Sequence, residues 1–386
     1  MSEQFGLTPV YAGDVSGVAS ALYELGGMVV IHDPSGCNST YNTHDEIRWY
    51  DKESHIFISG LNVRDATLGN DEKFMQDILD AAKQLKPTPK FIALCNSPVP
   101  FLNGTDFSGI CRILQKKSGI PCFYVKTNGM HDYSVGAGAA LKELADTFLV
   151  KNNRLSSSQE GVSVNILGMT PLDFGNPTCV SSLKEKLGRH GIYVNSIWAM
   201  DQDLISLLTV QEADVNLVVS SVGLPLAHYL QETFHMPYVI GAPIGAFAHP
   251  VYRALRDTAT DRISRIPYLA LVGHPLANAE HVAFIGEPIL MESMAVAYRI
   301  AHPEASVCVY NALEQPDTLL ARTDCSVRDE KELKSKLNNP SICFCDPMYA
   351  PILPESTSIR PVPTLAYSGR IHQADFPDYF AETFAV

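Results

Sequence analysis

The chain has 386 residues, which is too long for one ordinary hydrophobic core, so two or three α/β units are expected. Its composition is 46% hydrophobic and 18% charged, which is typical of a packed globular protein and excludes a disordered one. The formal net charge of −13 at pH 7 argues against a nucleic-acid or anionic-membrane partner, because either would need a basic face.

The beginning of the sequence lacks the basic and apolar segments of a secretory signal, and no apolar run approaches the length that crosses a bilayer. We therefore expect a cytoplasmic protein without a membrane partner. The nine cysteines are then expected to be thiols, metal ligands or redox groups rather than a disulfide framework, because the cytoplasm is reducing.

Nine apolar runs predict the strands of the fold. They are continuous rather than alternating, which is typical of strands buried on both faces of a parallel sheet. The runs cover residues 28–37, 90–97, 121–129, 162–170, 214–223, 237–245, 281–288, 305–312 and 341–347. Helical patterns lie between them, at residues 71–85, 136–149, 179–191, 224–235 and 289–302. This alternation predicts an α/β fold with mostly parallel sheets.

Two stretches of the sequence indicate domain boundaries. The polar stretch 151–161 carries almost no apolar residue and is interpreted as a linker, and a second boundary is placed near residues 246–253. We therefore predict three Rossmann-like domains, at residues 1–150, 160–247 and 248–386. In such sheets ligands bind beyond the carboxyl ends of the strands, so functional residues are expected in the loops that follow the strands.

Two cysteines follow or close predicted strands of the first domain in turns that contain Gly or Pro. Cys37 lies in HDPSGCNSTY and Cys95 in ALCNSPVPF, and both loops should lie at the same edge of one parallel sheet. Gly36 and Ser97 are the neighbouring residues whose backbone amides could bond to the sulfurs of a cluster. The alternative is a pair of buried, redox-silent thiols, since no dense Cys-x-x-Cys array is present.

An iron–sulfur cluster normally takes four protein ligands, and this chain offers two good candidates. The other seven cysteines lie inside apolar runs or near predicted helices, where a free thiol behaves as a small hydrophobe. Two chains that each contribute Cys37 and Cys95 would supply four thiolates around one shared cluster of the 4Fe–4S or 2Fe–2S type.

The order of several motifs resembles the nitrogenase component 1 family over nearly the whole chain. In the first domain the matching segments are YAG (11–13), MVVIHDPSGC (28–37), ISGLNVRDATLGNDEKF (58–74) and LCNSPVPFLNGTDF (94–107). Further segments follow the family's second and third domains in order, at residues 164–168, 212–221, 228–239, 243–245, 282–288, 342–347 and 365–371.

The resemblance implies three Rossmann-like domains and assembly as a homodimer or as a heterodimer with a related subunit. It implies that Cys37 and Cys95 hold the cluster that receives electrons. It also implies a partner protein, an ATP-hydrolysing iron–sulfur reductase similar to the nitrogenase iron protein. No Gly-x-x-x-x-Gly-Lys-Ser/Thr motif occurs in this chain, so ATP should be used by the partner only.

The departures from the family pattern are informative as well. Pro9 stands where nitrogenase subunits have a further cluster cysteine, which favours one four-iron cluster over a larger one. Ser220 or Ser221 stands where nitrogenase anchors its active-site metal cofactor through a cysteine, and serine is a poor iron ligand. Nitrogen fixation is therefore not expected, although His372 is retained at the place of the other cofactor ligand.

Reduction also needs proton donors, and histidine titrates in the useful range. His372 is the leading candidate and His131 the next, each weighed against a structural or surface role. The leading hypothesis is a nitrogenase-like reductase component that acts on a tetrapyrrole or on a small sulfur or unsaturated compound. A scaffold for metal-cluster assembly and a metal-free small-molecule binding protein are the alternatives.

Overall fold

The computed structural model describes residues 11–34, 55–150, 161–271 and 279–386. It divides the chain into two compact units, which are described separately. Among the described residues, the N-terminal unit holds 12–34, 55–150 and 196–210, and the C-terminal unit holds 11, 161–195, 211–271 and 279–386. In the described parts of both units, no helix is both long enough and apolar enough to span a membrane.

The N-terminal unit is built on a four-stranded parallel sheet with helices on both faces. Its strands are β1 (Met28–His32), β2 (Ile56–Ile58), β3 (Ile92–Asn96) and β4 (Cys122–Tyr124), in the order β2-β1-β3-β4. Its helices are α1 (Asp14–Leu22), α2 (Val63–Leu68), α3 (Asp71–Gln84), α4 (Pro98–Leu102), α5 (Phe107–Ser118) and α6 (Tyr133–Phe148). A short helix from the later part of the chain, α8 (Leu204–Leu207), also belongs to this unit.

Burial on both faces explains why these strands are continuously apolar. On one face, Phe74, Ile78 and Leu114 of α3 and α5 pack against Val30 and Leu94. On the other face, α1 and α6 pack against the sheet and against each other. Since successive side chains of a strand point to opposite faces, Cys95 lies on the α1 and α6 side, next to Leu94 on the α3 and α5 side.

The C-terminal unit contains two more sheets. One has the strands β5 (Val162–Leu167), β6 (Ile192–Ile197), β7 (Val215–Val218) and β8 (Tyr238–Ile240), in the order β6-β5-β7-β8. The other has β9 (His281–Gly286), β10 (Ser306–Asn311), β11 (Cys325–Ser326), β12 (Ile342–Cys345) and β13 (Ser358–Pro361), in the order β11-β10-β9-β12-β13, and all of its pairs are parallel.

The helices around these two sheets complete the unit. They are α7 (Thr178–Gly188), α9 (Leu224–Phe234), α10 (Ala248–Asp261), α11 (Pro288–Ala301), α12 (Glu330–Lys336) and α13 (Leu365–Ser368). Helix α10 packs on β5, β7 and β8, whereas α11 packs on β9 and β10. The amide of Ala242 donates to Ser293 Oγ at 2.9 Å, which joins the turn after β8 to α11 in the interior.

The predicted fold class is confirmed: the described residues hold three mostly parallel sheets layered with helices. Each predicted domain range contains one of these sheets, but where one domain ends and the next begins stays a prediction. Four strands that the apolar runs did not predict are all at sheet edges, namely β2, β6, β11 and β13. An edge strand has one neighbour and needs less apolar surface, so its sequence signal is weak. Several predicted strands also end earlier than the apolar run, such as β1 at His32.

Candidate functional site

The carboxyl edge of the first sheet is where β1 and β3 end side by side. His32, the last residue of β1, is paired in register with Asn96, the last residue of β3. The chain therefore leaves both strands at one edge, as the sequence predicted for the two cysteine-bearing turns. Cys37 and Gly36, which follow β1, lie outside the residues that the structure describes.

Cys95 lies inside β3 and is wholly buried. Its thiol donates to the carbonyl oxygen of Val30, with Sγ and O 3.6 Å apart. Burial raises the pKa of this thiol well above its usual range, and the negative charges of Asp14 and Asp33 raise it further. In this position the sulfur is enclosed and hydrogen-bonded, whereas a cluster ligand is a deprotonated sulfur that iron can reach. Its ligand role stays a prediction.

Ser97 begins the turn after β3, at the residue that precedes α4. Its hydroxyl donates to the carbonyl oxygen of His32 at 3.2 Å, and its backbone amide is directed to the same oxygen at 3.3 Å. Both donors of Ser97 therefore hold the ends of β1 and β3 together. The predicted contact from Ser97 to a cofactor stays a prediction, and it would require one of these donors to be shared.

Asp14 is a buried carboxylate at this edge that the sequence analysis did not single out. Its side chain accepts from the backbone amides of Asn128 at 2.9 Å and Gly129 at 3.0 Å, and from its own neighbour Val15. Burial raises its pKa, while these hydrogen bonds oppose the rise. The signal in the sequence was an acidic residue in the first turn of a helix, directly after the Gly of the YAG element.

His131 is an exposed residue in the loop after β4, and it is tied to Asp14 through the backbone. The amide of Asp14 donates to the carbonyl oxygen of His131 at 2.9 Å, and the charge of His131 lowers the pKa of Asp14. Three predicted site residues, Cys95, Ser97 and His131, are thus gathered around the end of β3 and the start of α1. Their assigned roles stay predictions.

His32 borders a cavity of about 510 Å³ at the same sheet edge. Burial lowers its pKa to about 4, so the ring is neutral at pH 7, and its Nδ1 lies 2.7 Å from Ser59 Oγ. The ring also packs on Phe74, with ring centroids 4.0 Å apart. A neutral, packed imidazole with one nitrogen already bonded is a support for the turn rather than a ready proton donor.

His372 belongs to the C-terminal unit. It lies in a short 3₁₀ helix, Gly369–Asp375, and its side chain is 28% exposed. Its Nδ1 is 3.9 Å from the Asp375 carboxylate, and its charge lowers the pKa of the nearby Asp346, which burial raises. The side chain is thus partly open to solvent and near two carboxylates, and its role as a proton donor stays a prediction.

Ser220 and Ser221, which the resemblance places at a cofactor-anchor position, are buried and hydrogen-bonded within the C-terminal unit. Ser220 is fully buried and donates through its hydroxyl to the carbonyl oxygen of Gly168 at 2.7 Å. The backbone amide of Ser221 donates to Glu287 at 2.8 Å, and Glu287 also caps α11 by accepting from the Leu290 amide at 2.8 Å. Glu287 is thus the N-cap of α11.

A metal site is not preformed in the part of the chain that the structure describes: no three His, Cys, Asp or Glu side chains there are arranged to hold an ion. The described residues alone therefore do not form the donor set of a cluster.

Comparisons with known proteins give the family. The model of the nitrogenase component 1 type oxidoreductases matches residues 16–260. Curated relatives are light-independent protochlorophyllide reductase subunits B. That of Leptolyngbya boryana is 35% identical over 114 residues, which are 28% of this chain and 22% of the relative. That of Synechococcus elongatus is 30% identical over 189 residues, which are 47% of this chain and 36% of the relative.

A solved structure titled nitrogenase Cp1 at pH 5 shares the fold, with a TM-score of 0.58 at 15% identity, over 86% of this chain and 69% of that one. The chain thus matches less than two thirds of the length of the curated relatives, while the family model covers most of this chain. The resemblance stated from the motifs is confirmed. This chain belongs to the nitrogenase component 1 type oxidoreductase family.

Proposed function

We propose that this chain is a catalytic subunit of a nitrogenase-like reductase that reduces a tetrapyrrole. The observation that carries the proposal is the family match over residues 16–260, in a chain whose curated relatives are named protochlorophyllide reductase subunits. Those relatives favour a tetrapyrrole over the small sulfur compound that the sequence analysis also allowed. The low-potential electrons come from a separate ATP-hydrolysing iron–sulfur protein.

The same proposal includes a 4Fe–4S cluster at the interface with a second component 1 subunit, held by Cys37 and Cys95 of each chain. When bound, such a cluster supplies electrons one at a time. What supports the location is the register of β1 and β3: their last residues, His32 and Asn96, are paired, so the segments that follow the two strands start at the same end of the sheet. The buried thiol of Cys95 counts against it, because ligation requires that side chain to turn away from Val30.

Iron content of single variants tests the cluster ligands. Anoxically purified Cys37→Ser and Cys95→Ser proteins should each lose most of their iron, because a serine oxygen replaces a thiolate poorly at iron. The Cys122→Ser protein is the matched control and should keep its iron, since Cys122 begins β4 at the opposite end of the sheet. Circular dichroism of all three shows whether a loss of iron reflects unfolding. Full iron in a folded Cys95→Ser protein would remove Cys95 from the ligand set.

The reaction needs protons at the reduced carbon atoms, and His372 is the proposed source. Its place beside Asp346 and Asp375 lets the imidazole be reloaded from solvent after each transfer. His131, on the exposed loop after β4, is the second candidate. The chain's own contribution is thus to hold the substrate and to deliver protons, while the partner protein hydrolyses ATP.

Turnover of a His372→Ala protein tests this role. With protochlorophyllide, ATP, dithionite and an iron-protein-type reductase, the variant should lose about 10²-fold in rate, the usual contribution of a positioned general acid. The His302→Ala protein is the control, because His302 is a partly exposed histidine at the end of α11 with its own carboxylate neighbour, Glu304. An unmodified rate for His372→Ala would exclude it as the donor. No turnover by the wild-type protein, with iron bound, would favour the scaffold alternative.

A further inference from the structure

A pair of cysteines in the N-terminal unit lies outside the proposed cluster site. Cys111 is on α5 and Cys122 is the first residue of β4, so the two belong to different elements that pack together. The neighbouring side chain of Cys111 is the largest cause of the raised pKa of Cys122, ahead of burial. Residues 112–121 connect them, and the Cys122 amide donates to Gln115 Oε1 at 3.3 Å, which holds the start of β4 against α5.

Both cysteines border the same open cavity, which has a volume of about 440 Å³. Cys111 is 6% exposed and Cys122 is 9% exposed. Arg112, Lys126 and Glu143 also border this cavity, so two positive charges and one negative charge surround the two sulfurs, and the balance favours an anionic thiol compound. The shared cavity distinguishes this pair of cysteines from a pair that is packed in the core.

The C-terminal unit offers a comparison in the same protein. Cys343 and Cys345 are two residues apart on β12 and also interact through their side chains. Both are completely buried in the core of the third sheet. This second pair has the proximity but not the access.

We propose that Cys111 and Cys122 form a thiol-modification site, at which a low-molecular-weight disulfide such as glutathione disulfide converts the dithiol into an intramolecular disulfide. This goes beyond the proposed reductase function and does not depend on it. Cys122 lies opposite Ile92 at the amino end of the sheet, whereas Cys95 and Ser97 lie at the carboxyl end. Oxidation of the pair therefore ties α5 to β4 without using a proposed cluster ligand.

The exchange balances in two steps. The Cys111 sulfur loses its proton and attacks one sulfur of glutathione disulfide, whose S–S bond breaks, and the released glutathione thiolate takes the proton. The Cys122 thiol then loses its proton, attacks the Cys111 sulfur and displaces the second glutathione. The two cysteines are oxidised by two electrons, and one glutathione disulfide is reduced to two glutathione molecules.

Cysteine mapping after incubation in glutathione buffers tests the site. The reduced whole protein is equilibrated anoxically at increasing ratios of disulfide to thiol, quenched in acid, alkylated under denaturing conditions and digested. We expect the peptides that contain Cys111 and Cys122 to become linked, with a mass lower by two hydrogens. Cys343 and Cys345 should stay fully alkylated at the same ratios. Complete alkylation of Cys111 and Cys122 throughout, or linkage of Cys343 to Cys345 first, would overturn the proposal.

A Cys122→Ser protein separates the two steps. Without the Cys122 thiol the second step cannot occur, so the mixed disulfide between glutathione and Cys111 should accumulate. A folded variant that takes up no glutathione at Cys111 would contradict the order of attack and access to Cys111. Iron content, measured on the same samples, should be equal in the linked and unlinked protein. If Cys37 and Cys95 prove not to be cluster ligands, the expected linkage of the Cys111 and Cys122 peptides is unchanged.

Discussion

Replacing Arg299 by methionine should lower the free energy of unfolding by about 3–5 kcal/mol, because the change leaves a buried carboxylate without its partner. Arg299 on α11 and Asp324 are 3.5 Å apart, between Nη2 and Oδ2, and their side chains are 9% and 0% exposed. Asp324 also accepts from the Val309 amide at 2.8 Å, and Arg299 donates to the Val307 carbonyl oxygen at 3.1 Å. The pair therefore fixes the segment before β11 against β10.

Urea denaturation at pH 7 measures this loss. The control is Arg328→Ala. Arg328 is also paired, with Nε 3.4 Å from the Glu332 carboxylate, but its side chain is 91% exposed. Its loss should therefore lower the free energy of unfolding by less than about 1 kcal/mol. Equal losses in the two variants would show that the Arg299 pair is not buried as described.

Glu292 is a third buried group beside Arg299 and Asp324, and it makes the stability of this region depend on pH. Burial raises its pKa from 4.5 to about 9, and the charge of Asp324 contributes in the same direction. Because the folded state keeps a proton that the unfolded state loses, this contribution to stability is complete below pH 4.5 and is lost as the pH rises towards 9. Glu292→Gln, which mimics the protonated form, should flatten that dependence and be at least as stable as the wild type at pH 7.

The second large effect is expected at Gly136, where α1 and α6 touch through their backbones. A Cβ atom on Gly136 would lie 1.9 Å from the Asp14 carbonyl oxygen, and one on Gly17 would lie 2.1 Å from the Tyr133 carbonyl oxygen. Gly136→Ala must therefore push the helices apart, at a cost of about 3 kcal/mol, the upper part of the usual range for overpacking. Thermal unfolding followed by circular dichroism measures it.

The same substitution should also disturb the carboxyl edge of the first sheet. Displacing the start of α1 moves Asp14, whose carboxylate holds the amides of Asn128 and Gly129. The control is Gly188→Ala at the end of α7, where the added Cβ meets nothing within 4 Å. There the change should be neutral or stabilising by up to about 1 kcal/mol, because alanine loses less conformational freedom in a helix. A Gly136→Ala protein as stable as the wild type would contradict the close helix contact.

The regular elements show how far local sequence patterns reach. The helical pattern at residues 71–85 corresponds to α3, Asp71–Gln84, because an amphipathic period and an Asn before the first turn specify both the helix and its start. The pattern at 136–149 corresponds to α6, which begins earlier, at Tyr133, because Asp132 caps it by accepting from the Ser134 amide. The apolar pattern does not include Asp132, because its capping role depends on how the chain turns there.

At the candidate site, local sequence patterns do not predict the direction of side chains or their distant hydrogen-bond partners. Cys95 was recognised as closing a strand, but the direction of its side chain depends on the register of β3 and on which helices cover each face. Asp14 was overlooked because its partners, Asn128 and Gly129, are more than 100 residues away in the sequence. The bond from the Ser221 amide to Glu287 likewise joins residues that are 66 positions apart, so only the folded chain shows it.

By itself, the sequence determined the α/β class, the parallel sheets and the family, because apolar periodicity and motif order are local properties of the chain. Tertiary structure alone decided which side chains are enclosed, since burial depends on residues that meet only after folding. That is why Cys95 and Cys122, which both lie in apolar strands of one sheet, differ in access. Cys95 is 0% exposed inside β3, whereas Cys122 borders a surface cavity.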